Sequence, residues 1–579
     1  MKTFGLAILV SFLSLNALAA NKPAGHPEAA PSDQKPAQVA PSPLIATMAQ
    51  ELDREMPILS KANPPAYFVS YILTSTDRSE VMGSNGALLS SEESRSRWLE
   101  TQVRVGSYDL DNTHKVGNSA PGQGSFGASV PIDDAPDVLR RAMWEETDKQ
   151  FRVASEALIK INTSKEVQVQ TDAEHAPDFA REEPRTFYGP EVSVRPDRKP
   201  WETKVRLYTA AFRTSPQILN SIVTFSATGD NQYQVTSEGT RLQFGQVHYR
   251  LELFIQGKAP DGMDINRYYN FDWVNPSDAP DDKTVLAQGQ VLRKELEGLV
   301  AAPLVEPYAG PALLTGRATA VFFHEVFGHR AEGFRQKDIG EGQTFADKVG
   351  SPILPKFLSI YDDPTQRTLG KDILIGFYPF DDEGTPSERV TLVDHGVLKN
   401  FEMSRQPLKA FPVSNGHGRR QIGAQPVSRQ GNLIVQSSLT VSTAELRTKL
   451  VEEIKKQGKP FGLLIDDIAG GFTFTGRGQP QAFQVQPLVV YKVYADGRPD
   501  ELVRGVDIVG TPLASFAKIV ATSDRMEVFN GICGAESGDV PVSAVAPALL
   551  VSEIEIQRKE RSQDRPPYLG RPAGEEQLQ

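Results

Sequence analysis

The chain has 579 residues, of which 39% are hydrophobic and 23% are charged. This length exceeds what one ordinary hydrophobic core organises, so two domains are expected. The composition is that of a folded protein and excludes a chain that is disordered throughout. The formal net charge of −11 gives no electrostatic footprint for nucleic acid, so we do not expect nucleic-acid binding.

Residues 1–19 have the order of a bacterial signal peptide. Lys2 supplies a positive charge, an apolar stretch runs from Phe4 to Leu15, and Ala17-Leu18-Ala19 is a small-x-small cleavage signal. The alternatives are a short buried helix or an uncleaved anchor. We predict a periplasmic or secreted protein without a stable membrane span once the signal peptide is removed, because no later apolar run is long enough to cross a bilayer.

Pro and Ala dominate residues 20–44 without periodicity, which predicts a flexible linker. Residues 45–305 then mix helical and strand patterns, which predicts an N-terminal α+β domain. The strand group that comes first contains the hairpin signal Asn85-Gly86. In chain order, the patterns predict a helix at 43–62, strands at 67–106, a helix at 135–165, an irregular connection at 171–203, strands at 222–273 and a helix at 285–300.

Residues 306–560 have a different pattern. An apolar helical stretch from Ala318 to His329 precedes many short strand patterns separated by Gly, Pro, Asn and Asp. We predict a second domain here, with a largely antiparallel sheet that carries one metal-binding helix. The fold class is therefore α+β. The charged and Pro-rich residues 561–579 predict a disordered tail.

The helical stretch of the second domain contains His324-Glu325 and, five positions after the first histidine, His329. Zinc-binding helices usually space their two histidines by four residues, which places both on one face. A spacing of five puts them about 140° apart on a regular α-helix. The pair converges on one ion only if the helix is distorted, for example by a π-bulge. Gly328 is where we expect the backbone to deviate.

Two imidazoles leave a catalytic zinc site incomplete, because such sites usually have three protein ligands and an open position for water. Cys533 is the single cysteine of the chain and lies between glycines in Asn530–Gly534. It is a candidate third ligand, since a thiolate binds zinc strongly. The alternative is a buried structural cysteine. A single thiol in an exported protein is open to oxidation unless it is buried or bound to a metal. This favours the interpretation of Cys533 as a ligand.

Glu325 adjoins the first histidine, so its carboxylate would lie near a metal without being needed as a ligand. There it can act as a general base that takes a proton from water and delivers it to a leaving amine. The alternative is a glutamate on the helix surface. The flanking histidines favour the catalytic interpretation over this alternative.

These residues resemble a known family. The segment His324–His329 followed by Glu332-Gly333 is similar to the HExxxH motif of the TldD half of the TldD/PmbA family. Further segments agree in the same order, mostly in the C-terminal half, whereas the N-terminal half is similar only in its α+β order. The agreeing segments are Asp381–Pro386, Val390–Leu398, Asn415–Arg420, Pro426–Asn432, Gly531–Gly534 and Val540–Val542.

The resemblance implies a zinc metallopeptidase that acts on unfolded or short peptides, with His324, His329 and Cys533 as zinc ligands and Glu325 as the catalytic base. It also implies a dimer, in which the partner is often a PmbA-like paralogue without the His-Glu motif. The signal peptide departs from the cytoplasmic members of the family, which makes a homodimer a serious option.

Two other functions stay open at this point. One is a non-catalytic, zinc-containing subunit that binds peptides or partners a peptidase, although structural zinc sites normally have four protein ligands. The other is hydrolysis of a non-peptide amide, such as cell-wall material.

Several polar residues of the second domain have no assigned role. Asp381, Asp382 and Glu383 are either a polar wall near the cleft or a solvated turn. Arg419 and Arg420, with His417, are either groups that bind a carboxylate or oxyanion or, by slight preference, a basic surface loop. Gly470-Gly471 indicates either close approach of a peptide to a strand or a simple turn.

Overall fold

The structure, a computed structural model, leaves both ends of the chain largely undescribed. The predicted signal peptide, most of the predicted linker and most of the predicted tail lie outside the described residues, so all three, and export with them, stay predictions. The described residues are 38–115, 127–165, 176–337, 340–476, 482–559, 565–567 and 569. Within these ranges no helix is both long and apolar enough to cross a membrane.

Helices are distributed over the whole described chain. They are α1 Pro43–Leu59, α2 Pro136–Lys165, α3 Arg198–Ala210, α4 Asp282–Ala301, α5 Gly316–Phe323, α6 His329–Ala331, α7 Phe334–Lys337, α8 Thr443–Lys456 and α9 Pro512–Phe516.

The strands build two large sheets. Those of the first sheet are β1 Ala66–Ser84, β2 Ala87–Val105, β3 Ala128–Ser129, β4 Thr186–Tyr188, β5 Asn220–Thr236, β6 Arg241–Lys258 and β7 Asp264–Trp273. The remaining strands are β8 Tyr308–Leu314, β9 Leu358–Asp362, β10 Thr368–Leu369, β11 Asp372–Ile373, β12 Val390–Asp394, β13 Val397–Leu398, β14 Gly418–Arg419, β15 Val427–Ser428, β16 Asn432–Ser437, β17 Thr440–Val441, β18 Gly462–Thr473, β19 Phe483–Val493, β20 Glu501–Val503, β21 Val506–Gly510, β22 Ile519–Ala535 and β23 Gly538–Arg558.

The first sheet has the order β3-β2-β1-β5-β6-β4, with β7 also paired to β6. Its longest hairpin, β1–β2, turns at Asn85 and Gly86, whose φ angles of 50° and 80° are those of the turn that an Asn-Gly pair predicts. Side chains alternate between the two faces. Helices α1 and α2 cover one part of the sheet, and α3 and α4 cover another. The predicted helices and strands of this region are confirmed.

One local prediction for this region is wrong. The segment 171–203, expected to be an irregular connection, contains β4 and the first turns of α3 among its described residues. Strand β4 is held by parallel pairing with β6, a contact that the local sequence does not encode. Helix α3 begins behind Asp197, whose side chain accepts a hydrogen bond from the backbone N–H of Lys199.

The second sheet has the order β13-β12-β9-β16-β23-β21-β19-β18-β8 and also includes β17, β20 and β22. Most of its pairings are antiparallel, as predicted, and the α+β fold class is confirmed. Many strands of this region are short, as predicted, whereas β22 and β23 are 17 and 21 residues long. Helix α5 packs against β18, β22 and β23 and thereby lies beside the centre of the sheet.

Buried ion pairs join the two halves of the chain. Arg267 of β7 lies 2.9 Å from a carboxylate oxygen of Asp467 in β18. Arg420 pairs with Glu100 of β2. Residues 37–579 cluster as one compact unit. The boundary between the predicted domains at residue 305 stays a prediction.

Candidate metal centre

The two histidines lie where the helix changes its geometry. Helix α5 ends at Phe323, residues His324–Gly328 form a π-helical turn, and α6 begins at His329. The backbone N–H of His329 bonds to the carbonyl of His324, five residues earlier. This wider turn absorbs the extra residue of the spacing and brings the two imidazole ring centres to 5.0 Å. The predicted distortion of the helix is confirmed.

Gly328 has a different role from the one expected. Its φ and ψ angles, both −55°, are helical, so the glycine is not needed for an unusual backbone conformation. A Cβ atom at this position would lie 1.9 Å from the side-chain oxygen of Gln430. The glycine therefore makes room for Gln430, whose amide N–H₂ lies 3.4 Å from the carbonyl oxygen of His324.

The structure brings together the three predicted ligands. One ligand atom from each of His324, His329 and Cys533 lies within 4.8 Å of the other two, and all three side chains are buried. Sγ of Cys533 lies 3.4 Å from Nε2 of His329. Cys533 lies on β22 opposite Val540 of β23, so the long hairpin fixes its position. Two imidazoles and one thiolate are a donor set that suits zinc and leaves a fourth position free.

The charges of this group favour an ionised thiol. Burial opposes ionisation, but the imidazoles of His329 and His324 outweigh it and hold the pKa of Cys533 well below its usual value. Burial likewise opposes the charged form of His329, yet Cys533 and Glu332 raise the pKa of that histidine. A thiolate is the form of cysteine that binds metals, and His329 would have to release its proton to bind one.

Glu325 lies beside the ligands and separate from them. Its Oε2 atom is 3.9 Å from Nε2 of His329, and the side chain is 8% exposed. Gly471 of β18 packs against it, because a Cβ there would lie 2.9 Å from Cγ of Glu325. The glutamate is not on the helix surface. Its position beside the site suits a group that exchanges protons with a water molecule there.

A second layer of charged residues supports His329. Oε1 of Glu332 lies 3.2 Å from Nδ1 of His329, and Arg335 donates a hydrogen bond of 2.8 Å from Nε to Oε2 of Glu332. Burial raises the pKa of Glu332, but His329 and Arg335 outweigh this effect and lower it to about 2. The carboxylate therefore stays ionised and orients the imidazole, as partners of metal-binding histidines do.

Our sequence reasoning gave Glu332, Arg335 and Arg429 no role. A spacing of three residues between His329 and Glu332 is a helical contact distance and is the signal that could have found this carboxylate. Arg429 lies 100 residues after His329 in the chain. No local sequence pattern connects it to the site.

The three ligands and Glu325 line one cavity of about 590 Å³ between the two sheets. This volume is in the range of small-molecule and peptide sites. Its other walls come from the first sheet, from β18 and from β22, and include Arg250, Glu252, Tyr268, Asn270, Gly470, Gly471, Phe529, Ile532 and Glu536. Gly470 and Gly471 belong to strand β18, so the simple-turn interpretation of this pair is wrong.

The other polar residues singled out in the second domain lie elsewhere. Asp381, His417, Arg419 and Arg420 are buried, so the interpretations as a solvated turn and as a basic surface loop are wrong. Asp381 accepts hydrogen bonds from the backbone N–H groups of Thr385 and Gly418, each 2.9 Å long. Asp382 lies 3.2 Å from Arg420. None of these residues, all of which the structure describes, lines the cavity.

Parts of this chain are similar in sequence to proteins named as metalloproteases. Residues 308–558 match the model of the PmbA/TldA metallopeptidase C-terminal domain. A metalloprotease TldD homolog from Haemophilus influenzae is 28% identical over 300 residues, which are 50% of this chain and 56% of that protein. A zinc metalloprotease TldD homolog from Saccharolobus solfataricus is 24% identical over 259 residues, 43% of this chain and 52% of that protein. The chain spans about half the length of the curated relatives it matches.

The fold is shared with a solved structure over a larger part of the chain. TldE from Thermococcus kodakarensis superposes with a TM-score of 0.55 at 13% identity and covers 88% of this chain and 100% of its own. At this identity the likeness concerns the fold alone. The C-terminal region of this chain is similar to the C-terminal domain of the PmbA/TldA metallopeptidases.

Proposed function

We propose that this chain is a zinc-dependent peptidase. The observation that carries the proposal is the convergence of His324, His329 and Cys533 around one point of the cavity, with Glu325 beside them. The names of the relatives, metalloprotease and zinc metalloprotease, support the same activity.

In the proposed mechanism, His324, His329 and Cys533 hold the metal. A bound zinc ion would supply Lewis-acid chemistry for a substrate carbonyl and for a water molecule at this site. Glu325 accepts a proton from the attacking water and delivers it to the leaving amine. Glu332 keeps the His329 ring in the orientation and tautomer that leave Nε2 free to bind the metal.

The proposed substrates are short or unfolded peptides. The cavity volume of about 590 Å³ holds a few residues and excludes a folded domain. The cavity walls combine apolar groups such as Phe529 and Ile532 with the charged groups Arg250 and Glu252. This mixture suits a peptide, whose backbone is polar and whose side chains vary.

The alternative of a non-catalytic zinc subunit is not favoured. A structural site normally closes four protein ligands around the ion. Among the described residues three ligands converge, and Glu325 is left next to them in an accessible cavity. Both features suit turnover better than a purely structural ion.

The test is to remove and restore the metal. The purified protein should contain about one zinc ion per chain and cleave unstructured peptides. A chelator should abolish cleavage, and added Zn²⁺ should restore it, because three protein ligands suffice for rebinding. Cleavage that persists in metal-free protein would contradict the proposal, and turnover of cell-wall amides without peptide cleavage would favour the alternative substrate class.

We also propose that the chain acts as a dimer, either with a second copy or with a PmbA-like paralogue. The support is that this chain shares its fold with TldE from Thermococcus kodakarensis. Light scattering should give twice the chain mass for the protein alone if it forms a homodimer. A monomeric mass that doubles on addition of the paralogue would indicate the heterodimer, and a monomer in both cases would contradict the proposal.

A further inference from the structure

Arg429 makes an unusual set of contacts directly behind the metal centre. It follows strand β15 in the chain, and its side chain is fully buried. One terminal nitrogen, Nη2, donates a hydrogen bond of 2.6 Å to the backbone carbonyl of Cys533. The other, Nη1, donates to Oγ of Ser537 at 2.8 Å and to the carbonyl of Gly538 at 2.9 Å.

These contacts fix the end of the β22–β23 hairpin. Glu536 and Ser537 form its turn, Gly538 is the first residue of β23, and Cys533 lies just before the turn. A hairpin end is normally the most mobile part of a pair of strands, because fewer neighbours restrain it. A guanidinium that binds both the turn and the Cys533 carbonyl restrains the segment that carries the thiolate.

The same guanidinium also lies against the partner of the second ligand. Its Nε atom is 3.5 Å from Oε1 of Glu332, an ion-pair distance. That same oxygen lies 3.2 Å from Nδ1 of His329. Arg429 is therefore connected to Cys533 through a backbone carbonyl and to His329 through one carboxylate.

We infer that Arg429 is a positioning residue that sets the distance between the Cys533 thiolate and the His329 imidazole for metal binding. The inference rests on the proposed zinc function. The two ligands come from segments 204 residues apart in the chain, and Arg429 is connected to both, to Cys533 directly and to His329 through Glu332. The planar fork of arginine does this with several directed donors, which a lysine ammonium does not reproduce.

The test compares zinc affinity in Arg429→Met and Arg429→Lys, measured by competition with a chelator. Loss of a residue that orients metal ligands typically weakens metal binding by about 10–100-fold. We expect a loss of this size for the methionine variant and a smaller loss for lysine, which keeps the charge near Glu332. When Co²⁺ replaces Zn²⁺ in the protein, Arg429→Met should also show a weaker thiolate-to-cobalt charge-transfer band than wild type.

The matched control is Arg405→Met. Arg405 is equally buried and also joins two segments, since it donates to the carbonyl of Ala180 at 2.6 Å and to Glu238 at 2.7 Å. It contacts no proposed ligand. We expect the metal-free forms of both methionine variants to lose thermal stability, whereas only the Arg429 variant loses zinc affinity and changes the cobalt spectrum.

The outcomes separate this inference from the proposed function. A folded Arg429→Met protein that binds zinc as tightly as the Arg405 control would overturn the inference while peptidase activity stands. If Arg429→Met does not fold, the zinc affinity of Arg429→Lys is compared with that of the Arg405→Met control, and equal affinities would overturn the inference. A wild-type protein that binds no zinc would overturn the proposed function and the inference together.

Discussion

Replacing Glu325 with glutamine is expected to lower peptide cleavage by about 10²–10⁴-fold, the usual contribution of a general acid–base group. The amide keeps the size of the side chain and its packing against Gly471. It has no basic oxygen that can take a proton from water at neutral pH. Because Glu325 is not among the three converging ligands, the zinc content should stay at the wild-type level.

The measurement is the initial rate of cleavage of an unstructured peptide, with zinc determined in the same sample. Glu452→Gln, at an exposed position of α8, makes the same chemical change away from the cavity and should leave the rate unchanged. If Glu325→Gln cleaves as fast as wild type with zinc bound, another group is the base and the proposed mechanism is wrong.

The parts of the fold that follow local rules could be predicted from the sequence. The Asn85-Gly86 turn needs two positive φ angles, which few residue pairs supply, so the hairpin at this point is encoded locally. Helix α2 was indicated by its periodic apolar residues, and the structure has it from Pro136 to Lys165. Strand β4 was missed because it exists only through its pairing with β6.

The centre of the site was predictable for a different reason. His324 and His329 are separated by a number of residues that a regular helix cannot accommodate around one ion, so metal binding and a distortion had to be predicted together. The π-helical turn at His324–Gly328 confirms the distortion. The metal-binding role itself stays a prediction.

The supporting layer could not be read from the sequence. The position of Arg429 beside Cys533 depends on the pairing of β16 with β23, which joins Asn432 to Ser543, and on the β22–β23 hairpin that carries Cys533. Arginine side chains are exposed at most positions in proteins, whereas Arg420 is buried. Only their partners, here Glu100 in the other sheet, make burial acceptable.

Replacing Cys533 with serine should weaken zinc binding by more than about 100-fold, which exceeds the usual effect of losing a residue that only orients a ligand. Burial opposes ionisation of the Cys533 thiol, but the imidazoles of His329 and His324 hold its pKa well below the usual value, which favours the thiolate. A serine hydroxyl stays protonated there and is a poor zinc ligand. Peptide cleavage should fall with the zinc content and should recover in part at high zinc concentrations.

A packing effect has to be separated from the loss of a ligand, because Cys533 is buried against Val540 and Val542. Val540→Ala removes apolar volume at the position directly across from Cys533 and should lower thermal stability with little change in zinc affinity. Bound zinc should raise the unfolding temperature of wild type and of Val540→Ala, since a ligand that binds only the folded state stabilises it. The serine variant should lose this increase. Zinc affinity that is undiminished in Cys533→Ser would remove the thiolate from the site, and with it the three-ligand centre on which the proposed chemistry depends.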